Sequence, residues 1–600
     1  MSKIKSRDEI KDEYKWDLKK IFKDEKDFNN SIEEVKSLVD DYKKYKDHVM
    51  DNATSFYNAL TKDLEISRKL EKMYSYSSML SDEDVSNNSN QELVSRVLNI
   101  YDYAQQNTYF FQTELLKEDY SKIEKYIKEE KRLEEYKSYI KKIYRYKEHT
   151  LSDIEEKLLS KMSKAFGNQD NTYSYLTDSD LRFDNISDDN GKSLELTDTN
   201  YSLYIRNKNR NIRKDAFEKL YTKYKEFKNT LSSTLDAHIK ENVTLSHIKK
   251  YKTAFSKSLF HDELDEKVYN TLKDTVHENI NVLNDYYKMK KEILGLEDFH
   301  MYDIYCDLLK DYDKEYTFTE AKDIVFKALK PLGDEYLKDL EKAFTDKWID
   351  IYPNKNKRGG AYSGGAYDTN PYVLLNYQND LNDVSTIIHE LGHSMHSYYT
   401  RTNQPYQYGD YPIFVAEVAS TTNELLLSDY LIKNSNSKEE KLQALNHLLE
   451  LFKGTIYRQT MFEEFEKYAY DLIENDDVIT ADKLCDKYYE LNNFYYGKEV
   501  VNDELIKYEW ERVPHFYYNF YVYKYATSLS AACMIATKII NGDTKTRDNY
   551  LKMLRSGSRY SPLETLKIAG VDMTKKEVYE NAINMFKKTI EDFKKVYKEK

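Results

Sequence analysis

Asp380-Leu-Asn-Asp-Val-Ser-Thr-Ile-Ile-His-Glu-Leu-Gly-His-Ser-Met395 is the stretch on which the reading of this chain turns. Val384, Ile387, Ile388, Leu391 and Met395 recur at helical spacing, and Asp380, Asn382 and Asp383 ahead of them are residue types that cap helix N-termini. The pattern predicts a buried helix. His389 and His393 then share one face, so both imidazoles can hold a single zinc ion while Glu390, one position round, reaches the water beside it. That is the apparatus of a zinc peptidase. Histidine is scarce, 12 in 600 residues, and Asp plus Glu number 105, so chance supplies on the order of 0.02 such matches in the chain. Gly392 weakens a helix at mid-length by about 1 kcal/mol relative to Ala, and close approach of another backbone is the expected reason for it.

A catalytic zinc takes three protein ligands and keeps one position open. The metzincin continuation would place Gly three residues after His393 and His three further on, and this chain has His396 and Tyr399 there. The better candidate is Glu417 in Phe414-Val-Ala-Glu-Val-Ala-Ser420, which opens a second apolar helical pattern running through Leu425, Leu426 and Leu427. Pro405 and Gly409 mark the stretch between as a loop, so the two helices can fold back on one another. Glu424 falls on the same face as Glu417 and is expected to hold a ligand histidine from behind. The plain alternative for both acids is a solvated helix face.

Around this core lie Arg358-Gly-Gly-Ala-Tyr-Ser-Gly-Gly365 and Pro371-Tyr-Val-Leu-Leu-Asn-Tyr377, with Glu13-Tyr-Lys-Trp-Asp-Leu18 near the start and Arg512-Val-Pro-His-Phe-Tyr517 near the end. Together with the two zinc-site segments they make the chain, over essentially its full length, resemble the oligoendopeptidase F group of the thimet oligopeptidase (M3) family of zinc metallopeptidases. The resemblance puts the third zinc ligand on Glu417. It also implies a mainly α fold, in which two largely helical halves enclose a deep central channel that admits short unfolded peptides.

Composition agrees. Six hundred residues, 40% hydrophobic, suffice for a sizeable core, while 33% charge and a mean hydropathy of −0.83 describe a wet surface. A net charge of −13 argues against nucleic acid or an anionic membrane as partner. No apolar leader or long apolar run appears, and Cys306, Cys485 and Cys533 are odd in number and lack metal-ligand spacing. A cytoplasmic chain with reduced thiols is expected.

Helical periodicity recurs through 26–165, 210–240, 263–295, 319–346, 437–475 and 575–598. Leu181 to Ile186, a turn at Asn190-Gly191, Leu194 to Leu196 and Tyr201 to Ile205 read as a small β-hairpin element. A division is placed there, giving an N-terminal helical domain over 1–200, one wall of the channel, and a zinc peptidase domain over 201–600. Pro371 to Tyr377 reads as a short apolar strand, a small β element beside the active site. Its exposed edge would grip an extended peptide by backbone hydrogen bonds, with Gly359, Gly360, Tyr362 and Asn376 as substrate-binding residues. An ordinary core strand is the alternative.

In Pro514-His-Phe-Tyr-Tyr-Asn-Phe-Tyr-Val-Tyr-Lys-Tyr525, Pro514 is suited to open a helix, which would put Tyr518, Tyr521 and Tyr525 on one face with His515 nearby. A peptidase needs donors for the oxyanion that forms as the scissile carbonyl becomes tetrahedral. The family uses a C-terminal His and tyrosines for this. His515, Tyr518 and Tyr525 are the candidates, with Tyr521 binding substrate; aromatic core packing is the alternative for each tyrosine. The expected reaction is endopeptidase hydrolysis of oligopeptides, with one zinc on His389, His393 and Glu417 and Glu390 as general base. A helical HExxH zinc carboxypeptidase, a catalytically inactive peptide-binding protein and a structural zinc protein are the other readings.

Overall fold

The computed structural model describes residues 4–162, 165–188, 191–309 and 314–599. Helix makes up 72% of the chain and strand 2%, so the fold is mainly α. The helices used below are, in chain order, α1 (Ala53–Asp82), α2 (Arg210–Ile248), α3 (Leu381–Asn403), α4 (Ile413–Lys433), α5 (Arg458–Glu474) and α6 (Tyr523–Ile540). Local chemistry sets their ends. Asn52 accepts the Ser55 amide at the start of α1, and Asn209 accepts the Asn211 amide at the start of α2. No helix among the described residues is long and apolar enough to cross a membrane.

The chain forms two compact units, neither continuous in sequence. The first comprises Met1–Thr150, Asp313–Tyr430 and Ile535–Val571, and the second Leu151–Tyr312, Leu431–Met534 and Asp572–Lys600. The division expected at 200 falls inside the second unit, within a helix over Asp198–Ile205.

In the first unit, α1 and its neighbours bury a core of Phe28, Val35, Phe56, Leu60, Met73 and Leu115, which Tyr372 and Leu374 of a small sheet join. That sheet has strands β3 (Ile349–Asp350), β4 (Tyr362–Gly364) and β5 (Tyr372–Leu374) in the order β3-β5-β4. β3 runs parallel to β5, and β4 pairs antiparallel with it, Ser363 opposite Val373. The apolar strand is therefore central, not an edge. All three of its residues are fully buried, because an all-apolar run is most stable with neighbours on both sides. The edge beside it belongs to β4. A buried ion pair, Lys357 Nζ to Asp350 Oδ1 at 2.7 Å, fastens the loop before β4 to β3, and the same ammonium donates to the Leu375 carbonyl.

In the second unit, β1 (Ile186–Ser187) and β2 (Ser193–Leu194) pair antiparallel as the expected hairpin, with Ile186 opposite Leu194. Asn190 of its turn lies outside the described residues. Tyr201 to Ile205 is helix rather than strand. Thr197 and Asn200 form a capping box there, the Asn200 amide on Thr197 Oγ1 at 3.1 Å and the Thr197 amide on Asn200 Oδ1 at 2.7 Å, and this starts the helix before an alternating pattern can act. The three cysteines are buried and free.

Candidate active site

Helix α3 carries the two histidines, and its first turn is fixed by Asp380. Asp380 Oδ1 accepts the Asp383 amide at 2.7 Å, and Asp383 returns to the Asp380 amide at 3.2 Å. The apolar stripe Val384, Ile387, Ile388, Leu391 and Met395 is fully buried. α3 therefore cannot rotate, and its histidine face is set. Against it lies α4, so close that a Cβ built on Gly392 would stand 2.6 Å from Ser420 Cα and 2.9 Å from the Ala419 carbonyl oxygen. Only glycine permits that crossing. Asn423, fully buried on α4, ties the pair by donating to the Ile388 carbonyl at 3.2 Å.

The crossing brings Glu417 to the histidines. His389 Nε2 and His393 Nε2 are 3.2 Å apart, and Glu417 Oε2 stands 3.4 Å from the first and 3.5 Å from the second. Two imidazole nitrogens and one carboxylate oxygen thus converge on one point, the donor set of a divalent-metal site, and this is the group of metal-capable side chains found among the described residues. Behind them, Glu424 Oε1 lies 3.5 Å from His389 Nδ1 and accepts from Ser385 Oγ at 3.4 Å. Ser420 Oγ donates to Glu417 Oε2 at 2.9 Å.

Burial alone would lower the His389 pKa. The hydrogen bond and charge of Glu424, with Glu417 and Glu390 behind it, overcome this and carry it up to about 9. Burial acts upward on Glu417, but the hydrogen bond and charge of His393, the charge of His389 and the Ser420 hydroxyl bring it down to about 2. Glu417 is thus an anionic donor at any physiological pH, and a metal ion at His389 competes with a proton. Glu390, mostly buried, is raised above the ordinary carboxylate range by burial; the histidines pull it back, and the Ser363 amide of β4 favours its charged form. The Ser363 and Ser394 hydroxyls, 2.8 Å apart, join β4 to α3. His396 is fully buried, pushed down to about 3 by burial, and stacked at 3.6 Å on Tyr411.

The second cluster lies in the second unit and is not one helix face. Pro514–Tyr517 is a single 3-10 turn, the chain then reverses through Asn519 and Phe520 at positive φ, and α6 begins at Tyr523. Even so, the rings gather. His515 lies 5.5 Å from Tyr518 and 6.1 Å from Tyr525 between ring centroids, and Tyr521 lies 5.3 Å from Tyr525. Tyr518 is half exposed, and burial lowers the His515 pKa, so the imidazole is neutral near pH 7.

Residues 203–585 match the profile of Peptidase family M3, and residues 114–183 match that of Oligopeptidase F. The chain belongs to peptidase family M3. This M3 peptidase is 40% identical to Oligopeptidase PepF of Bacillus subtilis (strain 168), over 99% of this chain and 89% of the relative. Among solved structures, a chain from Chlamydophila abortus superposes with a TM-score of 0.91 at 35% identity, covering 99% of this chain and 100% of that one. Oligoendopeptidase-F from Enterococcus faecium gives 0.75 at 33%, covering 95% and 99%. The family is metal-dependent, and the His389, His393 and Glu417 donors are where this peptidase has a metal-capable group.

The substrate-binding candidates of the M3 peptidase divide. Gly359, Gly360 and Asn376 line a cavity of about 990 Å³ with Tyr14 and Tyr352. There the Asn376 side-chain Nδ2 donates to the carbonyls of Arg358 and Gly360, at 3.0 and 2.9 Å, and so braces the glycine loop. The Tyr362 hydroxyl is turned to Asp82 Oδ2 at 2.6 Å. Sequence reasoning passed over Ser363, Ser394, Ser420 and Asn423, the polar residues that join strand, helices and ligands. Serine and asparagine are too common for any of them to stand out without the helix crossing in view.

Proposed function

We propose that this M3 peptidase is a zinc endopeptidase that hydrolyses internal bonds of short unfolded oligopeptides. The observation that carries the reading is the triangle of donor atoms with edges of 3.2, 3.4 and 3.5 Å. Ligands at zinc distances of roughly 2.0 to 2.1 Å in a tetrahedron stand about 3.3 Å apart, so the triangle has the size of one tetrahedral face. Three protein ligands leave the fourth corner for substrate chemistry, which favours a catalytic site, one ion per chain, over a structural one. Zinc bound there supplies Lewis-acid activation of a water and of the scissile carbonyl.

The chain's own residues do the rest. Glu390, held beside the ligands on α3 and braced by the Ser363 amide, takes the proton of the attacking water and passes it to the leaving amine. Its burial raises its basicity to suit that exchange. Glu424 holds His389 in the orientation that presents Nε2. We assign oxyanion donation to the hydroxyls of Tyr518 and Tyr525 with His515, and contact with the substrate to Tyr521. The edge of β4, with the glycine loop Gly359 to Gly360 that Asn376 braces, offers backbone groups to an extended peptide, a mode that is indifferent to side chains.

The test is cleavage of an internally quenched peptide, about ten residues long and blocked at both ends, by wild type and by Glu390→Gln, with zinc content measured in each. Turnover by zinc-loaded wild type, and none by an equally loaded Glu390→Gln, is the expected result. A loaded wild type that cleaves only peptides with a free C-terminus would instead make the chain a carboxypeptidase.

A further inference from the structure

The turn that gathers the His515 cluster is strained, and its anchors are a set of residues outside that cluster. Asn519 has φ 55° and Phe520 φ 64°, two successive left-handed residues without a glycine. Asn tolerates that region, but a fully buried Phe in it is a steric outlier. Such a backbone persists only where its surroundings over-determine it. Here Asn519 Oδ1 accepts the Tyr470 hydroxyl at 2.8 Å and lies 2.9 Å from His238 Nε2 of α2. The Phe520 ring packs on Tyr470 and Phe255, with centroids 4.4 and 4.9 Å away. The Phe520 amide donates to Glu466 Oε1 at 2.7 Å.

Glu466 and Glu463 sit one turn apart on α5, both buried, where a carboxyl group costs free energy unless it is hydrogen-bonded. Burial raises the pKa of both, and Glu463 raises Glu466 further. Opposing this, the Phe520 amide favours charged Glu466, the Tyr523 amide favours charged Glu463, and nearby Lys524 acts on both. Lys524 is itself paired with Asp262 at 2.6 Å. Two carboxyl groups have been taken out of water beside the backbone amides of one loop. A core built for stability alone does not need that, and conflicts of this kind concentrate at functional sites.

We propose that Glu466 is a positioning residue that anchors the Phe520 amide and thereby holds the left-handed turn on which His515, Tyr518 and Tyr525 converge. The role rests on the oxyanion assignment made above, and it acts through those three residues rather than by contact with substrate. Misplacing a catalytic group by an ångström costs rate rather than affinity for the rest of the substrate.

The experiment uses the full chain, the doubly blocked quenched peptide and amide hydrogen exchange across 513–525. Glu466→Met removes the acceptor. It is expected to speed exchange in that segment and to lower kcat at least about tenfold, with KM within about twofold and zinc content unchanged. Glu466→Gln keeps an oxygen that accepts the Phe520 amide and is expected to hold kcat within about threefold of wild type. Tyr470→Phe, which removes only the donor to Asn519, is the milder second variant. It is expected to speed exchange in the same segment and to lower kcat about threefold. Unaltered exchange in both Glu466→Met and Tyr470→Phe would overturn the anchor whatever happens to turnover. Equal kcat losses in Glu466→Met and Glu466→Gln would overturn it as well. If Tyr525→Phe and His515→Gln turn over like wild type while Glu466→Met still loosens the loop, the oxyanion assignment fails and the anchor stands.

Discussion

Glu390, Glu417 and Glu424 are three glutamates within one site, and their surroundings give them different work. Glu417 is held anionic by two histidines and a serine, whereas Glu390 is raised by burial. For Glu390→Gln we expect bound zinc near the wild-type level and kcat lower by at least about 10²-fold, read by quenched-peptide turnover beside metal analysis. Glu424 meets His389 at its far nitrogen and takes a hydrogen bond from Ser385, away from the metal-facing atoms. For Glu424→Gln the expected loss is therefore in metal affinity, roughly 10- to 100-fold by competition with a chelator, and added zinc should restore much of the turnover. An unchanged zinc affinity would make Glu424 a bystander. The glutamates were legible in the sequence because a rare residue, histidine, marked the place. The serines and Asn423 were not, since nothing in a serine's neighbours along the chain says that a second helix will cross there.

The element that decides the site is the pair α3 and α4, and the contact that decides the pair is Gly392 against Ser420. Adding one methyl at Gly392 would force backbone from backbone, since neither the Ser420 Cα nor the Ala419 carbonyl can swing aside as a side chain does. For Gly392→Ala we expect a destabilisation of about 1–3 kcal/mol and, because Glu417 moves with α4, a zinc affinity lower by at least about tenfold. Calorimetry and chelator competition would show both, and a stable variant with wild-type zinc affinity would refute the crossing as the cause. The β element shows the opposite balance. Pro371 to Tyr377 announced a strand, but its place between β3 and β4 depended on which flanking segments paired with it, which its own pattern does not show, so the edge passed to β4. Pro514 likewise announced a start, yet only tertiary anchors could stop the turn at Tyr517 and reverse the chain at Asn519.

At the scale of the whole molecule, buried ionisable groups link stability to pH. Glu511 is almost fully buried, its carboxylate oxygens have no hydrogen-bond partner among the described residues, and burial raises its pKa to about 9 despite the opposing charge of Lys228. The folded state therefore keeps a proton that the unfolded chain, titrating near an ordinary glutamate, has lost. Stability from this group is complete below about pH 4.5 and falls as pH rises towards 9, with a cost on the order of 3 kcal/mol at pH 7. For Glu511→Gln we expect a Tm equal to wild type near pH 4.5 and increasingly higher than wild type up to pH 9. Parallel Tm profiles for the two proteins would remove Glu511 from the linkage.

The sequence by itself determined the mainly α class, most helix positions, the His-Glu-x-x-His face and the family. Each follows from periodicity or from rare residues at short range, where spacing along the chain equals spacing in space. Only the tertiary structure decided which strand is central, which backbone Gly392 meets, how non-consecutive segments make two units, and why His515 and its tyrosines converge without sharing a helix. These depend on contacts that spacing along the chain does not reveal, and side chains such as Glu466, Ser363 and Asn423 acquire their roles only when folding brings a partner to them.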